Sequence, residues 1–138
     1  MKFNSTKINN QQLHYALLLL RVTLGFLMIA NHGWPKIIKF ETLQNEFFNF
    51  FGIGSYLSLI LAIGSEILCS LLLIFGLYTR LALLPLIVTM LVAATVHQWE
   101  IFGKAELAFM YLIGFVFLFI VGPGQKSIDA RMGKRSYY

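Results

Sequence analysis

Two charged side chains inside long apolar segments are the first candidates for chemistry in this chain. Arg21 lies in the first apolar segment and Glu66 in the second. An isolated charge in hydrocarbon is costly, so such groups face protein and find a partner. A helical rise of about 1.5 Å per residue places them about 12 Å and about 16 Å from the same bundle end, which favours an ion pair. The pair is interpreted either as a structural clamp or as a site that binds an anionic or quinone-like head group or relays protons.

A second group of ionisable side chains is predicted to gather at the opposite end of the same segments. Histidine titrates near neutral pH, so this group could handle protons. Tryptophan, histidine and lysine are also common anchors at membrane boundaries, and that interpretation stays open. One short turn separates His97 from Glu106, and we expect the two to hydrogen-bond. The members are His32, Lys36, His97, Trp99 and Glu106.

Haem and a metal ion are further cofactors that the histidines could hold. His32 and His97 could be axial haem ligands, but they are the only two candidates and both lie close to a helix end. With Glu106 they could hold a metal ion, but no spacing signature supports such a site, and no metal site is assigned. The single cysteine, Cys69, excludes an intrachain disulfide and dithiol chemistry. The sequence has no flavin, dinucleotide or iron–sulfur motif.

The elements that must position these residues are apolar helices. Of the 138 residues, 58% are hydrophobic and 12% are charged, and the mean hydropathy is +0.73. A soluble domain has about 25% charged residues, and a membrane-spanning helix needs about 20 apolar residues. The fold class is therefore predicted to be all-α, a single domain over residues 1–138 that forms an integral membrane four-helix bundle. The predicted spans are residues 13–33, 55–77, 81–99 and 105–121.

The connections complete this topology. Proline at position 35 is expected to end the first helix at Gly33, and Pro85 should bend the third. Phenylalanines at helical spacing predict an interfacial amphipathic helix over residues 36–54, between helices 1 and 2. Helical spacing from the polar residues predicts the inward faces. On the fourth helix the predicted face is Glu106, Met110, Ile113 or Gly114, and Phe117.

The distribution of positive charge predicts the orientation. Seven Lys and Arg residues fall on the side of the termini and three on the other side. By the positive-inside rule both termini are cytoplasmic, in a bacterial inner membrane. The seven are Lys2, Lys7, Arg80, Lys126, Arg131, Lys134 and Arg135, and the three are Lys36, Lys39 and Lys104.

Seven short elements in order resemble the DoxX family of small bacterial membrane proteins over about residues 13–131. The resemblance implies a four-helix bundle and a link to quinone or redox partners, because the family is named for its likeness to a membrane subunit of thiosulfate:quinone oxidoreductase. It makes six of the matched residues candidates for a shared site, namely Arg21, His32, Glu66, Arg80, His97 and Glu106. The elements are Arg21, H-G-x-x-K at 32–36, Glu66, G-L-x-T-R at 76–80, His97, Glu106 and G-P-G-x-x-S-x-D at 122–129.

The expected function is that of a membrane subunit that interacts with a quinone or a redox partner. Glu66, His97 and Glu106 are the catalytic candidates, because they could handle protons. Arg21, His32 and Arg80 are the candidates for binding the polar head group of the quinone.

The alternative function is non-catalytic: an assembly factor, an anchor, or a permeation pathway for protons or small molecules. Whether the chain is an enzyme stays open. Its expected partners are the lipid bilayer and a redox or other protein, with a homo-oligomer left open. Nucleic acid is not expected, because no basic stripe interleaves with exposed aromatic residues.

Overall fold

The structure is a computed structural model that describes residues 9–135, and within that part of the chain it is all-helical, without strands. Lys2 and Lys7 of the predicted cytoplasmic cluster lie outside the described residues, as do the side chains of Lys134 and Arg135. The helices are α1 (Asn10–Ile38), α2 (Phe40–Leu43), α3 (Ser55–Phe75), α4 (Thr79–Val96), α5 (Glu106–Val121) and α6 (Ile128–Arg135).

Four of these helices form the membrane bundle. The helices α1, α3 and α4 contain 18-residue stretches with mean hydropathies of 1.9, 2.4 and 2.0, and they are long and apolar enough to cross a membrane. Helix α5 is apolar after Glu106 but has only 16 residues, which extend about 24 Å. The prediction of an all-α membrane bundle of four helices is confirmed.

The four helices pack around a buried apolar core. Helix α4 packs along α5, and α1 packs against the second half of α3 and against α5. The outer face of the bundle is also apolar, as lipid contact requires. We call the end where α1 finishes and α3 begins the loop end, and the end where α1 begins and α5 finishes the terminal end. Core residues include Met28, Leu73, Leu86, Met90, Phe115 and Leu118.

Helix α1 does not end at Gly33, so that prediction is wrong. It passes through Pro35 and continues to Ile38. A π-helical segment, Ile29–Gly33, precedes the proline, and the Trp34 N–H donates to the Ile29 carbonyl, five residues back. A π turn is wider than an α turn and gives the proline ring room. The extension carries Lys36 on the last turns of α1.

The segment between α1 and α3 is less helical than the amphipathic pattern predicts. It contains α2, a 3₁₀ turn at Phe50–Gly52 and irregular turns. Positive φ angles at Phe51 (49°) and Gly54 (98°) interrupt any longer helix. The Gly54 N–H donates to Asn49 Oδ1 at 2.8 Å, which holds the turn in place. The segment therefore folds back over the loop end.

The predicted inward face is right for α1 but wrong for α5. On α1, Arg21, Gly25 and Met28 are buried as expected. On α5 the predicted face is wrong, because Met110 and Phe117 are exposed. Helix α5 is apolar all round, so the position of one polar residue cannot indicate which face packs. Its packed residues are Tyr111, Phe115 and Leu118.

Candidate functional site

A buried ion pair between Lys36 and Glu66 joins α1 to α3 at the loop end. The Lys36 ammonium donates to both carboxylate oxygens of Glu66, at 2.8 Å each. The Glu66 side chain is 3% exposed and that of Lys36 is 20% exposed. The predicted Arg21–Glu66 pair is therefore wrong, since Glu66 is matched by Lys36.

The direction of side chains on antiparallel helices explains this pairing. Each Cα–Cβ bond in a helix tilts toward the helix N-terminus. Arg21 on α1 therefore leans toward the terminal end, whereas Glu66 on α3 leans toward the loop end. The side chains of these two residues therefore point away from each other, although the residues lie at similar depth. Lys36, at the far end of α1, leans back into the bundle and meets Glu66.

A close approach of α1 and α3 supports the ion pair. A Cβ atom at Gly33 would lie 2.5 Å from Ile67 Cγ1 and 3.4 Å from Glu66 Cβ, so only glycine fits at this contact. The π-helical segment of α1 packs against a second π-helical segment, Ser65–Cys69, which carries Glu66. Such segments often occur at functional sites. The glycine and the lysine of the H-G-x-x-K element therefore act together to pair α1 with Glu66.

A cavity of about 590 Å³ adjoins this ion pair. Its volume falls within the range of small-molecule sites, about 300–1,000 Å³. Residues of α1, α3, α4, the start of α5 and the segment between α1 and α3 line it. The walls are mainly apolar, and the polar side chains among them include His32, Lys36, Ser65, Glu66, Thr89 and His97. We call this space the loop-end cavity.

Three contacts define the polar part of the loop-end cavity. The Lys36 ammonium also approaches the His32 carbonyl oxygen at 3.4 Å. The His32 ring packs edge-on against Tyr111 with 5.4 Å between ring centroids, and its Nε2 is buried without a hydrogen-bond partner among the described residues. The Thr89 hydroxyl lies 2.9 Å from the Ser65 hydroxyl and 2.8 Å from the Pro85 carbonyl oxygen.

The structure brings three of the six predicted site residues to the loop-end cavity, namely His32, Glu66 and His97. Glu106 is exposed at the start of α5 and is not part of the cavity wall. Its expected hydrogen bond to His97 is not formed within residues 9–135. In the same part of the chain, no group of three His, Cys, Asp or Glu residues is arranged to hold a metal ion.

Arg21 lies at the terminal end and holds the chain after α5. Its guanidinium donates to the carbonyl oxygens of Pro123, at 2.8 Å, and of Lys126, at 2.9 Å. The side chain is fully buried, with 1% exposure. Gly76 packs against it at a φ of +67°, and a Cβ there would lie 2.7 Å from Arg21 Cζ. This contact belongs to a structural clamp in which backbone carbonyls take the place of a carboxylate.

Asp129 completes this terminal clamp, and sequence reasoning missed it. Its two carboxylate oxygens accept from the backbone N–H groups of Tyr78, at 2.7 Å, and Thr79, at 2.8 Å. The Asp129 N–H donates to the Gly76 carbonyl at 2.9 Å. Capping rules look for a residue immediately before the helix, whereas this cap comes from far along the chain. The G-L-x-T-R and G-P-G-x-x-S-x-D elements therefore meet in one place.

Arg80 lies beside the clamp and far from Glu66. It is exposed and lines an open depression of about 610 Å³ at the terminal end, together with residues that include Gly122, Gln125 and Asp129. The six predicted site residues therefore do not form one site. They divide between the loop-end cavity, the terminal end and the exposed start of α5.

Comparisons with known proteins agree with this architecture. The DoxX family model matches residues 16–99, which include α3, α4 and most of α1. An uncharacterized membrane protein of Mycobacterium tuberculosis, Rv3486, is 31% identical over 86 residues, which cover 51% of this chain and 53% of the relative. The chain thus spans about half the length of this curated relative. No solved structure matches it. Because the family match covers more than half of its 138 residues, the chain belongs to the DoxX family.

Proposed function

We propose that this chain is a membrane subunit that binds a quinone-type molecule in the loop-end cavity and works with a redox partner. One observation carries the proposal: a buried ion pair between Lys36 and Glu66 adjoins a cavity of about 590 Å³ with mainly apolar walls. A site of this kind suits a ligand with a polar ring and an apolar tail. Ionisable residues inside a membrane are functional candidates because placing them there is energetically costly.

The residues of the cavity would divide the binding between them. Apolar side chains such as Phe47, Phe50 and Val92 would surround the ring and tail and exclude water. Glu66 and His32 would contact the polar groups of the ring, and His97, nearer the surface, would exchange protons with solvent. A bound quinone supplies the redox chemistry. The sequence has no redox motif of its own, so we propose that a partner protein exchanges electrons with it.

The proposal includes an orientation in a bacterial inner membrane. Among the described residues, Arg80, Lys126 and Arg131 lie at the terminal end. The sequence predicts seven positive residues on that side against three on the other. The positive-inside rule then places the terminal end in the cytoplasm. The loop-end cavity would lie in the half of the bundle near the opposite membrane surface.

Blocking the cavity tests the proposal. Ala93 is half-buried in its wall, and Ala93→Phe would fill part of the space. We expect this variant to bind a decyl-tailed benzoquinone or its hydroquinone at least about tenfold more weakly than the wild type, because a well-formed pocket contributes through close contact. The measurement is binding calorimetry on purified protein in lipid nanodiscs.

Ala16→Phe is the matched control, because Ala16 is exposed on the outer face of α1. It should bind both ligands as the wild type does. The proposal fails if neither ligand binds the wild type at micromolar concentration, or if both phenylalanine variants bind equally well. The non-catalytic alternative predicts the first of these results.

A further inference from the structure

The hydrogen-bond donors around Glu66 are already in use. A lysine ammonium has three protons and no acceptor. Two of those of Lys36 point to the two Glu66 oxygens at 2.8 Å, and the His32 carbonyl oxygen lies 3.4 Å from the same nitrogen. Lys36 therefore has no strong donor left for a ligand.

The neighbouring hydroxyl groups satisfy one another in the same way. When Ser65 donates to Thr89 and Thr89 donates to the Pro85 carbonyl, both protons are used over distances of 2.9 Å and 2.8 Å. Ser58 Oγ donates to the Gly54 carbonyl at 2.7 Å. The polar surface deep in the loop-end cavity is thus poor in free donors.

Glu66, in contrast, keeps free acceptor capacity. An ionised carboxylate offers about four lone-pair sites on its two oxygens. Lys36 occupies one site on each oxygen, and no other donor reaches them from within residues 9–135. A neutral imidazole at His32 carries one donor and one acceptor, so it can serve either kind of ligand group. The part of the cavity around Glu66 therefore presents more acceptors than donors. The other ammonium that lines the cavity, Lys104, is on an exposed residue.

We infer that the loop-end cavity prefers the quinol, the hydroxyl-bearing reduced form, over the oxidised quinone. A quinol hydroxyl can donate to Glu66, whereas a quinone carbonyl is only an acceptor and would face the carboxylate without a proton between them. This inference rests on the proposed function and adds which redox form the site recognises. A tenfold preference for the quinol would raise the midpoint potential of the bound couple by about 30 mV, because a tenfold change in the equilibrium constant of a two-electron couple corresponds to about 30 mV.

The test compares one ring in its two redox states. Decyl-tailed benzoquinone and its hydroquinone are titrated anaerobically into the wild-type protein in nanodiscs. We expect the hydroquinone to bind about tenfold more tightly, the ratio that one hydrogen bond to a charged acceptor provides. In Glu66→Gln an amide replaces one acceptor oxygen with a donor, so the ratio should fall to about one or reverse. Glu41→Gln, at an exposed position, should keep the wild-type ratio.

Three results would overturn the inference. The first is that the quinone binds the wild type as tightly as the hydroquinone or more tightly, which would leave the proposed function standing. The second is that the preference persists in Glu66→Gln, which would exclude Glu66 as its source. The third is that neither form binds, which would contradict the proposed function as well. If Glu66→Gln does not fold, Lys36→Met/Glu66→Met replaces it, because an apolar pair offers neither donor nor acceptor, and it must also lose the preference.

Discussion

Lys36→Met is expected to lower the free energy of unfolding by about 3 kcal/mol, because it leaves Glu66 buried without a counter-charge. Glu66→Met should have a smaller effect, since the partly exposed Lys36 can reach toward the membrane surface. The double variant Lys36→Met/Glu66→Met should recover to within about 1 kcal/mol of the wild type, because it removes both charges. Unfolding in detergent, followed by circular dichroism, measures all three.

Lys39→Met serves as the control for this cycle, because Lys39 is exposed near the same helix end. It should change stability by no more than about 0.5 kcal/mol. A Lys36→Met effect as small as the control, or a double variant less stable than both single variants, would contradict the pairing. The double variant should also fold but bind quinol about tenfold more weakly than the wild type, which separates the structural role of the pair from its role in the cavity.

Arg21→Met is expected to lower the free energy of unfolding by about 2–4 kcal/mol, because the carbonyl groups of Pro123 and Lys126 lose their buried donors. Arg21→Lys should recover only part of this, since an ammonium cannot reproduce the planar fork of guanidinium. The loss of structure should be confined to the terminal end. Hydrogen exchange at the Tyr78 and Thr79 amides, which Asp129 caps, should become faster.

Arg21→Met also tests whether Arg21 is a structural residue or a residue that binds the ligand. If Arg21 is structural, quinol affinity at the loop-end cavity should stay within about twofold of the wild-type value, since two fully separate sites do not couple. Arg131→Met, at an exposed position of α6, should leave stability unchanged. Intact amide protection in Arg21→Met, or a selective loss of quinol binding without loss of stability, would show that the arginine acts on the ligand instead.

The sequence predicted the bundle because its determinants are local. Apolar length, charge depletion and helix stops such as Gly122-Pro123-Gly124 can be read without knowing what packs against what. The buried faces around Arg21 and Glu66 followed from helical spacing. The face of α5 did not, because a helix that is apolar all round carries no periodic signal.

The pairing of charges was not predicted, because it depends on direction as well as depth. Counting residues placed Arg21 beside Glu66, but opposite tilts on antiparallel helices separate them and bring Lys36 to Glu66 instead. A π-helical segment let α1 run through Pro35, which no local rule indicated. The H-G-x-x-K spacing, with His32 and Lys36 one turn apart on α1, was the available signal.

Photoaffinity labelling with a diazirine-bearing quinol tests most directly whether the loop-end cavity is the ligand site. After irradiation in nanodiscs and proteolysis, mass spectrometry should find the label in residues 43–50 and 85–97, which line that cavity. Excess unlabelled quinol should suppress it. The account would be contradicted if the label that unlabelled quinol suppresses were confined to residues 121–130, around the depression beside Arg80. It would also be contradicted if that label were confined to lipid-facing side chains such as Leu68 and Ile120.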